Sequence, residues 1–277
     1  MSSLTVAFFG ATGGVTNAIL IHTLLAGRKA IALVRTPQKL RDQLTRQDLS
    51  PEVLSNLTIV EGNALDVYAV KRTLTVSGPN TLPNVIVSGL GGAPVFKFQW
   101  LRPFQFATLD NPRICETAAA TLIQAMGEIY DEQSSLRAQH EKKPLLTFVS
   151  TTGITRGPED VPFWIRFLYH QILTIPHIDK RKMEDIYRAD AEKSDQQSKL
   201  FRTIVGIRPT LLTPLDNSPA DYRDVIGIEK IRAGTEQDPA IGYSIKRGDV
   251  GQWVWENVVR QAAGGGKWEG QMVSLTS

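Results

Sequence analysis

Between residues 4 and 25 the chain reads LTVAFFGATGGVTNAILIHTLL, an apolar run that breaks into Gly10-Ala11-Thr12-Gly13-Gly14 and resumes at helical spacing. Val6, Phe8 and Phe9 suit a buried strand, while Ile19, Leu20, Leu24 and Leu25 give the next helix an apolar stripe. Strand, glycine loop and helix in this order open a dinucleotide-binding unit, where a pyrophosphate rests on main-chain N–H groups at the positive end of the helix. Gly10 serves the tight turn, Gly13 and Gly14 allow close approach of the backbone, and Thr12 and Val15 complete the loop. The third glycine of a G-x-x-G-x-x-G spacing would fall at Thr16, so Thr16 or Asn17 is expected to face the phosphates instead.

A chain of 277 residues can bury a sizeable core, and residues 1–277 read as one unit. The net charge of +3 is too small to suggest nucleic acid as a partner. A single cysteine, Cys115, excludes an intrachain disulfide framework and fits a reducing compartment. There is no charged leader pattern and no apolar run of about 18 residues, so the expectation is a soluble, cytoplasmic protein without a membrane partner. No metal site is expected.

The second apolar run, Ala30–Val34, is followed at once by Arg35-Thr-Pro-Gln-Lys39, with Arg41 just beyond. An acidic residue at this point would select the ribose 2′-OH of NAD. A guanidinium instead grips a 2′-phosphate bidentately, so Arg35, with Lys39 in support, points to NADP(H). A helix-like stretch, 38–47, leads to the strand Leu57–Val60 and the turn Asn63-Ala64-Leu65-Asp66. These four residues either meet the adenine or, for Asp66, cap the helix running from Val67 to Leu74.

The fourth run, Val85–Ser88, ends in Gly89-Leu90-Gly91, and the fifth, Leu145–Val149, ends in Ser150-Thr151-Thr152. Ligands of open α/β sheets sit outside such carboxyl ends. Ser88, Gly89, Leu90, Gly91, Ser150, Thr151 and Thr152 are therefore cofactor candidates, with Ser150 also placed to hydrogen-bond a substrate carbonyl. Pro209 and Leu211, after the sixth strand, join them. Residues 93–110, carrying Phe96, Phe98, Trp100, Phe104 and Phe106 with Lys97 and Arg102, read as a pocket lid for an apolar substrate or as core packing. Asp110 or Asn111 is expected to cap the next helix. Residues 155–176 and 213–245 are further substrate-side elaborations, and the apolar helix over 161–173 is expected to bury Trp164, Phe167 and Leu168 as core. Asp249 is expected to cap a helix running to Val259.

Taken in order, GATGG, ALVRTPQKL, EGNALD, VIVSGLGG, LTFVSTTG, DKRKME, TIVGIRPTLL and RGDV resemble the atypical short-chain dehydrogenase/reductases, particularly the NmrA-like and flavin-reductase-like NADP-binding proteins. The resemblance spans nearly the whole chain. It implies an α/β, Rossmann-type doubly wound parallel sheet with a small C-terminal substrate-side cap, and NADP(H) as ligand. Carbonyl-reducing members of the superfamily use Tyr-x-x-x-Lys on a helix, and Lys180 resembles that lysine. Four residues earlier stands Pro176. His177 and Asp179 are the nearest replacements for the missing tyrosine, and Tyr169 and Tyr187 could also reach the site. The expected function is NADPH-dependent reduction of a carbonyl, imine or conjugated double bond of a small, apolar or aromatic metabolite. An NADP-sensing regulator and an isomerase or cyclase built on the same scaffold are the alternatives.

Overall fold

The computed structural model describes residues 4–91, 94–96, 107–109, 111–214 and 221–277, with main chain alone at 94–96 and 107–109. The first half alternates strand and helix: β1 (Thr5–Phe9), α1 (Gly14–Leu25), β2 (Lys29–Val34), α2 (Pro37–Arg46), α3 (Pro51–Leu54), β3 (Leu57–Glu61), α4 (Val67–Leu74) and β4 (Val85–Ser88). A short hairpin follows, β5 (Pro94–Phe96) and β6 (Ala107–Leu109), then α5 (Ile114–Glu132), α6 (Ser134–Arg137) and β7 (Leu145–Val149). The remainder is α7 (Arg166–Ile172), α8 (Thr174–Ala191), β8 (Thr203–Pro209), β9 (Leu211–Thr213), β10 (Arg232–Gly234), β11 (Ser244–Lys246), α9 (Arg247–Val254) and β12 (Met272–Thr276).

The main sheet has the order β10-β12-β8-β7-β4-β1-β2-β3. Every pairing is parallel except the antiparallel edge β10–β12. Strands with helices on both faces must be apolar on both, and β1, β2, β4 and β7 are buried almost throughout. Two clusters fill the faces: Phe8, Ile19, Leu20, Val254 and Trp255 on one, Phe9, Met126, Phe148, Tyr187 and Phe201 on the other. The chain winds from β1 outward to β3 and then returns to β4 on the other side of β1. That reversal opens the crevice at the carboxyl ends of β1 and β4.

Two local expectations are corrected. Residues 161–173 form helix only over Arg166–Ile172, and Phe163, Trp164 and Phe167 are 72%, 86% and 76% exposed, with Leu168 also at the surface. The segment lies beyond the end of β7, so its apolar pattern has no sheet face to cover. Asp249 is not an N-cap; it lies inside α9 and its carboxylate accepts the Ile226 and Gly227 N–H groups, fastening the 221–230 loop. Residues 213–245 contribute to the sheets as well, β10 extending the main sheet and β11 pairing with β9. Asp66 does cap α4, its Oδ1 accepting the Tyr68 N–H at 3.0 Å. Of the aromatic stretch, Phe96 lies in β5, and Phe98, Trp100, Phe104 and Phe106, with Lys97, Arg102 and Asp110, lie outside the described residues. No helix among the described residues is long and apolar enough to cross a membrane.

Candidate active site

The crevice is built where the glycine loop after β1 meets the glycines after β4. Gly10 has φ +89°, and a Cβ there would stand 2.7 Å from the Gly89 carbonyl oxygen, so neither the turn nor the contact tolerates a side chain. The Gly13 N–H donates back to the Gly10 carbonyl at 2.8 Å and closes the loop. Thr12, Gly13 and Gly14 are half-buried at the start of α1. This is the backbone cradle that a pyrophosphate requires, and a nicotinamide dinucleotide fits it.

Thr16 and Asn17 have close neighbours inside the protein. Both are buried, Thr16 over Gly89, where its Oγ1 lies 1.8 Å from the position a Cβ would take. The threonine in place of the third glycine thus fills the space that Gly89 leaves. Asn17 donates to the Ala11 carbonyl at 3.0 Å and accepts from Gln47 at 2.8 Å, which braces the loop from beneath. Val15 joins the core through its side chain. At the end of β2, Arg35 and Lys39 are exposed, and neither side chain has a hydrogen bond or ion pair among the described residues. Asn63 is tied locally, its Oδ1 accepting the Leu65 N–H, and Ala64 and Leu65 are half-buried beside it.

On the other side of the crevice, Lys180 projects from α8 and donates to the carbonyls of Leu90 at 3.0 Å and Val149 at 2.7 Å. It thereby ties the end of β4 to the end of β7. An ammonium has three donors, and the Cys115 thiol lies beside this one as well. Pro176 sits in the first turn of α8, where a missing N–H costs no helical bond. Ser88 is buried, Gly89 and Leu90 are half-buried and Gly91 is exposed. Pro209 accepts the Thr152 N–H, and Leu211 lies exposed in β9.

The replacements for the missing tyrosine separate clearly. Both Asp179 oxygens are taken by the N–H groups of Cys115 and Glu116, at 3.0 and 2.9 Å. Asp179 therefore caps α5 from across the interface, a task expected of Asp110 or Asn111; the Asn111 side chain instead accepts the Arg113 N–H. Tyr187 is fully buried between Phe148 and Phe201, with its hydroxyl at Ser88. His177 is only 8% exposed, and burial, with His170 and Arg181 nearby, lowers its pKa to about 4. It is a neutral ring at pH 7 and cannot serve as an imidazolium acid there.

Tyr169, on α7, has a different setting. Its hydroxyl lies 3.1 Å from Thr152 Oγ1 at the end of β7, and its ring packs on His177 with centroids 5.4 Å apart. Gly153 admits the imidazole, since a Cβ there would meet His177 Cε1 at 2.8 Å. Asp160 holds this turn by accepting the Gly153 N–H at 2.7 Å, and burial raises its pKa. Ser150 Oγ and His177 Nε2 are buried with no hydrogen-bond partner among the described residues. Buried polar atoms left without protein partners mark a place built for a ligand or a proton. Among the described residues no group of His, Cys, Asp or Glu side chains could hold a metal ion.

A Rossmann-type sheet, a glycine cradle at its switch point and a lysine across the strand ends form the layout of a dinucleotide-binding α/β fold. Comparison places the chain more closely. It is 40% identical to "Reductase pytE" of Aspergillus terreus over 278 residues, covering 99% of this chain and 98% of the relative. It is also 40% identical to "Oxidase pynE" of Aspergillus niger over 296 residues, covering 100% and 99%. The chain belongs to this family of oxidoreductases. No family model matches it. Its fold is similar to that of the anaerobilin reductase ChuY of Escherichia coli O157:H7, at 18% identity and TM-score 0.58, covering 98% of this chain and 96% of that one. It is likewise similar to the oxidoreductase ylbE of Lactococcus lactis, at 15% identity and TM-score 0.59, covering 99% and 91%.

Proposed function

We propose that the chain is an NADP(H)-dependent oxidoreductase acting on a carbonyl, imine or conjugated double bond of a small, largely apolar metabolite. The observation that carries this reading is the pairing of the phosphate cradle with Arg35, exposed at the end of β2 and without an ion-pair partner among the described residues. The 2′-phosphate of NADP(H) gives that guanidinium a bidentate partner, which NAD(H) lacks.

Bound NADPH supplies the hydride. The N–H groups of residues 12–15 hold the pyrophosphate, Arg35 and Lys39 hold the 2′-phosphate, and residues 63–66 flank the adenine. Lys180 donates to the nicotinamide ribose, while residues 88–91 and 150–152 with Pro209 and Leu211 line the nicotinamide side. Tyr169 delivers the proton from α7, its hydroxyl oriented by Thr152 at 3.1 Å. The unsatisfied Ser150 hydroxyl hydrogen-bonds the substrate oxygen. Tyr169 and Ser150 have no task in a cofactor sensor, and their placement favours turnover.

Titration of the protein with NADPH, followed by a panel of quinones, enones and aromatic aldehydes monitored for NADPH consumption, tests the reading. Tight NADPH binding with consumption of one class is expected; absence of NADPH binding refutes it. Tyr169→Phe should then lower turnover about 100-fold with NADPH affinity unchanged.

A further inference from the structure

The RGDV motif is left unexplained by the cofactor groups above. Arg247 is the first residue of α9, and α9 packs along α1. A Cβ on Gly251 would touch Ala18 Cβ at 2.3 Å, and four residues earlier on both helices a Cβ on Gly14 would touch Arg247 Cδ at 2.3 Å. The two helices therefore run side by side in matched register, with both amino termini at the carboxyl edge of the sheet. The Arg247 stem lies directly across the first turn of α1, and its guanidinium also donates to the Pro214 carbonyl.

Gly14 is thus absent a side chain for a reason beyond backbone approach: the space is taken by an arginine. A guanidinium carried to the phosphate loop adds a full charge to the partial charges of two helix ends. Its planar fork matches two phosphate oxygens at once.

We infer that Arg247 is a pyrophosphate-binding residue of this chain, so that two arginines divide the cofactor's phosphates, Arg35 on the 2′-phosphate and Arg247 on the pyrophosphate. The inference rests on the NADP(H) reading above, and fragment binding to the full-length protein separates the two. ADP-ribose carries the pyrophosphate without a 2′-phosphate, and 2′-AMP carries a 2′-phosphate without the pyrophosphate. Arg247→Met should weaken ADP-ribose about tenfold or more and leave 2′-AMP within about twofold. Retained 2′-AMP binding shows that the variant is folded. Gly14→Ala, which drives a methyl into the arginine stem, should weaken ADP-ribose several-fold in the parent and not further in the Arg247→Met background. Parent protein that binds neither NADPH nor ADP-ribose overturns the NADP(H) reading and this inference with it. Parent protein that binds both, with Arg247→Met unchanged toward ADP-ribose, overturns the role of Arg247 alone.

Discussion

His177 is buried against the turn that follows β7, and its protonation is measurable as stability. In the folded chain its pKa is lowered to about 4 from an ordinary 6.5, burial being the main cause. The unfolded chain therefore takes up a proton first as pH falls. Stability tied to this group is fully present above about pH 6.5, is lost at about 1.4 kcal/mol per pH unit as pH falls, and has gone by about pH 4. Between pH 7 and pH 5 the loss is about 2 kcal/mol. His22 and His140 are shifted in the same direction and the Asp160 and Asp249 carboxyls upward, so only a difference isolates His177. Urea unfolding of the parent and of His177→Gln at both pH values supplies it: the parent should lose about 2 kcal/mol more than the variant. Equal losses would show that position 177 titrates normally, and an imidazolium acid at neutral pH would again be available to the site.

Replacement of Arg35 by alanine should weaken NADPH by about 2 kcal/mol, roughly 30-fold, and leave NADH unchanged, read by fluorescence titration. Equal affinity of the parent for both cofactors would refute the 2′-phosphate assignment. Arg208 and Glu184 form a buried ion pair with contacts of 3.0 and 2.6 Å, and Glu236 adds a second carboxylate to Arg208 at 2.9 Å. Among the described residues Arg208→Met leaves Glu184 with only Arg188 at 3.9 Å, and should cost about 3–5 kcal/mol in urea unfolding. A loss below about 1 kcal/mol would mean that the pair contributes nothing beyond packing.

The sheet was legible because its signals are local. Leu145–Val149 and Val67–Leu74 fall where composition puts them, since a doubly buried strand needs an unbroken apolar run and Asp66 marks where a helix starts. The loop glycines were legible for the same reason. What escaped depends on contacts between distant residues. Asp179 reads as a titratable group beside Lys180, yet its carboxylate is fixed by N–H groups 63 and 64 residues away. Thr16 reads only as a residue of the phosphate loop, yet its side chain packs over Gly89, 73 positions later. Arg247 entered only as the first letter of the RGDV motif, because its contact with Gly14 lies in the register of two helices separated by most of the chain.

The segment between β7 and α8 shows why periodicity misled there and what it exposes instead. A helix whose apolar side chains point to water is costly unless something is to be bound, and α7 with its leading turn presents Phe163, Trp164, Phe167 and Leu168 outward. The same seven-residue helix turns Tyr169 inward to Thr152. On the reading proposed here, Pro176 no longer marks a lost proton donor: the donor has moved from α8, where the sheet fixes its position, to α7, which also forms the apolar rim. Substrate choice and proton delivery then share one short helix, and a change that reshapes the rim also shifts the Tyr169 hydroxyl relative to Lys180. Related chains with different substrates should therefore differ first between residues 161 and 173, while Gly10, Gly89 and Lys180, which the cofactor geometry demands, stay as they are.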